Sequence, residues 1–106
     1  MSVAYLVIYE GQPENADEFL SYYMEQHLPI VWTFPKIRGI EVQRGVDEGD
    51  FFMITRLTFD TIEDLRGAIN SEQRESARAD MKNFPPFNGT VRRQAVEIME
   101  IPHGTS

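Results

Sequence analysis

Phe51-Phe52-Met53-Ile54-Thr55-Arg56-Leu57-Thr58-Phe59 is the stretch on which the fold turns. It is dense in β-branched and aromatic residues and reads as a strand. Phe51, Met53, Leu57 and Phe59 form one alternating set, while Phe52 and Ile54 belong to the other. A sheet with one wet face alternates cleanly, so this strand predicts cover on both sides.

Working outward, Gly45-Val46-Asp47-Glu48-Gly49-Asp50 has the glycines and aspartates of a hairpin loop. It joins the strand to an earlier one, from Ile40 to Arg44 with Gly39 at its entry. At the amino end Val3 to Tyr9 predicts a strand closed by Gly11 and Pro13. A helix follows, capped by Asn15, with Asp17 and Glu18 in the first turn where the dipole favours acids. Pro29 disfavours helical backbone at Leu28, which places the helix end or a kink near His27.

After the third strand, Asp60 or Thr61 caps a short helix through Ile69, with Leu65 and Ala68 inside. A second helical piece spans Glu72 to Asn83, its inner stripe reading Gln73, Ala77, Asp80, Met81, Phe84. Phe84-Pro85-Pro86-Phe87-Asn88-Gly89 predicts a rigid turn and Thr90 to Ile101 a last strand. Strand, helix, strand, strand, helix, strand is the order of an α+β, ferredoxin-like βαββαβ fold with a four-stranded antiparallel sheet. Its helices cover one face. The two-sided third strand then predicts a homodimer through the sheet faces.

Length and composition agree with one small domain. With 106 residues, 1–101 form a single domain and 102–106 a frayed C-terminal tail. The absence of cysteine excludes disulfides, thiolate metal sites and cysteine nucleophiles. The apolar run Val3 to Tyr9 is far shorter than the roughly 20 residues of a membrane span and has no basic segment before it. The expectation is a soluble, cytoplasmic protein without membrane association. A net charge of −7 argues against nucleic-acid binding, and the basic doublet Arg92-Arg93 reads as a solvated strand edge.

The chemistry gathers around one of the two histidines. Ala16, Leu20, Tyr23 and His27 share a helical stripe, so His27 looks inward near a helix end. An imidazole titrates near neutrality and there serves as acid, base or polar anchor. Asp80 lies on the apolar stripe of the later helix, where a carboxylate is costly unless paired. It either orients His27 or binds backbone amides, Arg78 or Lys82. Of the four tyrosines, Tyr23 alone shares the His27 stripe. Trp32, Phe34, Phe84 and Phe87 are candidates to line a pocket, with Trp32 and Phe84 the expected walls. Two histidines without cysteine fall short of usual metal-ligand clusters, and no phosphate loop or nucleophile elbow is present.

Tyr23, His27, Pro29, Pro35 and Gly39, with Phe59-Asp60, Leu65, Ser71, Ala79-Asp80, Asn83 and Phe84, resemble the EthD-like family of the dimeric α+β barrel superfamily. The resemblance covers residues 3–101. It implies a subunit that dimerises into a barrel, with a pocket between helices and sheet. It also implies a link to oxidative ether degradation, and relatives that act on aromatic polyketides or rearrange lactones without a cofactor. Pro85-Pro86 departs from the acidic or glycine residues common there, and stiffens the pocket rim. The expected activity is cofactor-free proton transfer by His27 on a small apolar carbonyl or phenolic compound. Asp80 would orient it, Tyr23 would donate to an oxyanion, and Trp32 and Phe84 would be walls. The alternatives are a non-catalytic carrier of a hydrophobic or aromatic ligand for an oxidase, and a ligand-free dimer module. An axial haem ligand is a further use open to His27.

Overall fold

A computed structural model describes residues 2–104. Its elements are β1 (Val3–Pro13), α1 (Ala16–Tyr22), a π-helical turn (Tyr23–His27), α2 (Leu28–Val31), β2 (Gly39–Arg44), β3 (Phe51–Phe59), α3 (Ile62–Ile69), α4 (Glu72–Asp80), a 3₁₀ turn (Met81–Asn83) and β4 (Phe87–Glu97). All strand pairs are antiparallel, in the order β2-β3-β1-β4, and the helices lie on one face. The fold is therefore the expected ferredoxin-like α+β arrangement. No helix among the described residues is long and apolar enough to cross a membrane.

The first strand continues past the residues expected to close it. Gly11 stands opposite Gly89 in the β1–β4 ladder, and a Cβ on Gly11 would lie 2.2 Å from the Asn88 carbonyl oxygen. Two glycines let the backbones come this close, so the ladder runs on to Pro13, whose missing N–H costs little at a strand end. For the same reason β4 begins at Phe87, inside the expected turn, while its other end falls at Glu97, opposite Val3 at the start of β1, instead of Ile101. Pro102, His103 and Gly104 are exposed, while residues 105 and 106 of the expected tail lie outside the described residues.

The third strand spans the expected residues, but its faces divide differently. Tyr9 pairs with Met53 and Glu10 with Phe51, leaving Phe52 as the extra residue of a bulge. Phe52 is buried and turns to the helix side, its ring 5.8 Å from Phe19 in edge-to-face contact. Phe51 is instead exposed. The outer face thus receives only Ile54, Arg56 and Thr58 from β3. Beside them lie Leu6 and Ile8, half-buried and outside the core, with Ile8 directly opposite Ile54.

The inner face carries an aromatic cluster of Tyr9, Phe19, Tyr23, Phe52, Phe84 and Phe87. Each such side chain contributes roughly 1.5–3 kcal/mol when fully buried. Asn15 caps α1 by accepting from the Glu18 amide at 3.0 Å, and Thr61 caps α3 by accepting from Asp64 at 3.1 Å. On α4, Ala77 is buried as expected, but Gln73 is exposed and Arg74 takes the inner margin.

Before Pro29 the regular α-helix gives way to a π-turn that ends at His27, but the chain does not leave the helical conformation there. Leu28 is helical (φ −61°, ψ −33°) and the chain stays helical to Val31. A proline ring clashes with the carbonyl four residues back and removes a hydrogen bond. The π-turn relieves both, because Leu28 N–H donates to Tyr23 O, five residues back. Irregular hydrogen bonding here absorbs the proline.

Candidate functional site

His27 closes the π-turn with its side chain only 7% exposed. Its Nδ1 lies 2.9 Å from Asp80 Oδ2, at the end of α4 and 53 residues away in sequence. The other carboxylate oxygen accepts from Tyr22 Oη at 2.6 Å and from Asn83 Nδ2 at 3.2 Å. The 3₁₀ turn after α4 brings Asn83 back to its own helix end. Asp80 makes no side-chain bond to Arg78, Lys82 or a backbone amide among the described residues, so of the readings open from sequence the geometry selects the imidazole partner.

The electrostatics fix the proton's place. Burial raises the Asp80 carboxyl, but the donors Tyr22, His27 and Asn83 outweigh it and hold its pKa below the usual value. An ionised carboxylate can only accept, which assigns hydrogen to His27 Nδ1 and the lone pair to Nε2. Burial lowers the His27 pKa and Asp80 only partly offsets this. The expected gain in basicity from Asp80 is present but is overridden by desolvation. His27 is thus a neutral imidazole at neutral pH.

Nε2 has no hydrogen-bond partner among the described residues, yet no buried side-chain nitrogen or oxygen among them is left unpaired. It therefore keeps access to free space. His27 also lines a cavity of about 50 Å³, with Val7, Val31, Phe34 and Leu57 among its apolar walls. A larger hollow of about 520 Å³ lies at the strand ends near Val3, Ile62 and Ala95, and none of the expected site residues lines it.

The other expected residues divide. Tyr23 stacks on the imidazole, centroids 5.3 Å apart and planes at 26°. Its hydroxyl pairs with Thr55 Oγ1 in the interior, so it holds the ring and does not donate into the cavity. Phe84 meets His27 edge-on at 4.7 Å, as a wall of the ring's seat. Trp32 is 53% exposed beyond the end of α2 and lines no part of the cavity; the buried Phe34 stands there instead.

Sequence reasoning missed Tyr22. Residues five apart lie about 140° apart around an α-helix, so Tyr22 and His27 read as belonging to different faces. The π-turn adds a residue per turn and brings both to Asp80. The signal was the proline two positions after the histidine, which demands such a rearrangement. Among the described residues no group of three or more His, Cys, Asp or Glu side chains is placed to hold a metal.

The structure is similar to that of an ethyl tert-butyl ether D (EthD) family protein from Bacillus halodurans, with 25% identity, a TM-score of 0.80 and coverage of 93% of this chain and 100% of that one. It is also similar to a dimeric protein of unknown function and ferredoxin-like fold from Bacteroides fragilis (16% identity, TM-score 0.64, 92% and 96% covered). A third is SnoaB, a cofactor-independent oxygenase from Streptomyces nogalater (10% identity, TM-score 0.70, 97% and 98% covered). No family model matches the chain, and no curated protein matches it significantly.

Proposed function

We propose, taking the EthD-like character of this chain as the premise, that it is a small-molecule enzyme whose neutral His27 moves a proton on a carbonyl or phenolic compound. The observation that carries the reading is the pairing of a buried imidazole with an ionised carboxylate on one nitrogen, the other nitrogen being unpaired in a ring that lines a cavity. Nε2 takes a proton from a carbon next to a carbonyl, or from a phenol. The C–H or O–H bond breaks, N–H forms, and the electron pair stays as enolate or phenolate. The imidazolium is held by Asp80 and returns its proton to another atom of the same molecule. Such a step balances without a redox partner or cofactor. A positioned base of this kind contributes typically 10²–10⁴-fold.

A 50 Å³ cavity admits only the reacting end of a substrate. A pocket enclosing a whole ligand takes roughly 300–1,000 Å³, so at His27 itself the geometry favours proton transfer over storage. In this reading Tyr22 and Asn83 keep Asp80 ionised, Tyr23 and Phe84 orient the ring, and the phenol expected of Tyr23 plays no donor role. Leu6, Ile8 and Ile54 on the uncovered face form the surface through which a second copy would pack, the assembly named for the Bacteroides fragilis protein.

Proton exchange tests the activity without a known substrate. A panel of small ketones, phenols and unsaturated acids is incubated with protein in D₂O and deuterium incorporation is followed by NMR. The wild type should label one class, and His27→Gln should lose this at least about a hundredfold while melting within a few degrees of wild type. Equal labelling by both proteins would remove His27 from the chemistry.

A further inference from the structure

The cavity beside His27 has a charge that the rest of the molecule does not lead one to expect. The chain holds 17 acidic and 10 basic residues, yet Arg74, Arg78 and Arg93 line this cavity and no aspartate or glutamate does. Arg74 and Arg78 are one turn apart on α4. Arg93 stands opposite Val7, on the helix-facing side of the edge strand β4. Its neighbour Arg92 alternates to the outer face and pairs there with Glu10 at 3.3 Å, as a solvated strand edge does.

The three are also poorly neutralised. Elsewhere Arg38 meets Asp60 at 2.7 Å and Arg56 meets Glu41 at 3.2 Å. By contrast Arg78 has only a loose contact at 3.7 Å with Glu75, both more than half exposed. Arg93 Nη2 reaches the Met81 sulfur at 3.2 Å, a weak acceptor, and Arg74 has no carboxylate partner among the described residues. Guanidinium forks suit carboxylate and phosphate oxygens, and low-dielectric walls focus a field of one sign.

We infer that the compound acted on at His27 is an organic anion, whose oxyanion group is held at the cavity mouth by Arg74, Arg78 and Arg93. The inference rests on the proposed proton transfer, and supplies its substrate class. The small cavity takes the reacting carbon and its apolar neighbours, while the charged end remains at the arginines. The same cationic rim stabilises the negative charge that forms when Nε2 removes a proton.

Binding distinguishes this from a merely solvated helix face. Calorimetry would compare 4-hydroxycinnamate, its amide and phenyl phosphate on the intact protein at about 0.02 and 0.3 M salt. The carboxylate should bind at least about tenfold tighter than the amide, an advantage that shrinks at the higher salt. Tighter binding of phenyl phosphate than of the carboxylate would assign the anion to phosphate esters. Arg74→Gln with Arg93→Gln should bring acid and amide within about twofold while leaving amide affinity unchanged. Failure of both anions to bind, equal binding of acid and amide to wild type without tighter binding of phenyl phosphate, or equal weakening of acid and amide by the double variant would overturn the inference. His27→Gln should keep the anion preference. Anion preference without deuterium exchange would therefore sink the catalytic reading alone, and exchange without the preference would sink only the anion.

Discussion

The two faces of the sheet carry opposite exceptions. On the covered face the buried residues are nearly all apolar, and the buried exceptions are polar: Thr55 joined to Tyr23, and His27 joined to Asp80. On the uncovered face Arg56, Arg92 and Gln94 are ordinary, and the exceptions are apolar: Leu6, Ile8 and Ile54. Polar groups are buried at a cost and apolar groups are exposed at a cost, so each exception calls for an explanation. In the proposed function the inner exceptions serve chemistry and the outer ones a second copy.

The largest effect that separates the faces comes from the inner one. His27→Gln should lower turnover by about 10²–10⁴-fold, with gel-filtration volume and melting temperature nearly unchanged. A melting temperature that falls by tens of degrees would instead make the pair a packing element. Next comes the outer face. Ile54→Asp places a charge opposite Ile8, where a second sheet would cover it, and should weaken dimerisation by at least about a hundredfold in analytical ultracentrifugation. Exchange activity measured above the dimer Kd should survive. A wild-type protein that sediments as a monomer would remove the outer face from the comparison.

The sequence made the fold legible because the order of its elements was clear, and β3 was bounded to the residue. It misjudged β3's faces because strict alternation has no place for a bulge, and one extra residue moved Phe52 to the inner side. Gly11 and Pro13 looked like terminators, yet the matching Gly89 lies 78 positions along and becomes visible only once β1 and β4 are paired. In the site, His27 and Asp80 were legible as the polar members of two apolar stripes. Tyr22 was not, since it joins them through a π-turn that shifts the helical period. Trp32 was expected as a wall in place of Phe34, because residue type alone does not say which side of a short helix end faces the interior.

Asp80→Asn tests how the inner pair works. The carboxylate raises the pKa of His27 against the larger opposing effect of burial. Without it the imidazole becomes harder to protonate, and the acid limb of the rate profile should move to lower pH. The rate on the plateau should fall by tens-fold, because the amide can present the wrong hydrogen-bonding partner to Nδ1. Stability also responds. A histidine with a lowered pKa is neutral in the fold while the unfolded chain protonates first, so stability falls as pH drops below about 6.5. The lowered Asp80 carboxyl adds a second loss at more acid pH, as it is finally protonated in the fold. Asp80→Asn should abolish the second loss and deepen the first, read from urea midpoints across pH.

Tyr22→Phe is the smallest change and the most discriminating. The phenol donates at 2.6 Å to Asp80 Oδ1, and it is the first of the donors that lower the carboxyl's pKa. Removing it raises the Asp80 pKa and leaves the carboxylate charge less shared. That charge then holds the imidazolium more tightly, so the acid limb should move to higher pH, opposite to Asp80→Asn, by a few tenths of a unit. Turnover should change only a few-fold, as one hydrogen bond is worth about 1 kcal/mol net. A scaffold role for the pair would give both variants lower stability and the same limb. Opposite displacements of one limb by two variants require that Asp80 sets the affinity of His27 for its proton, and that Tyr22 moderates Asp80.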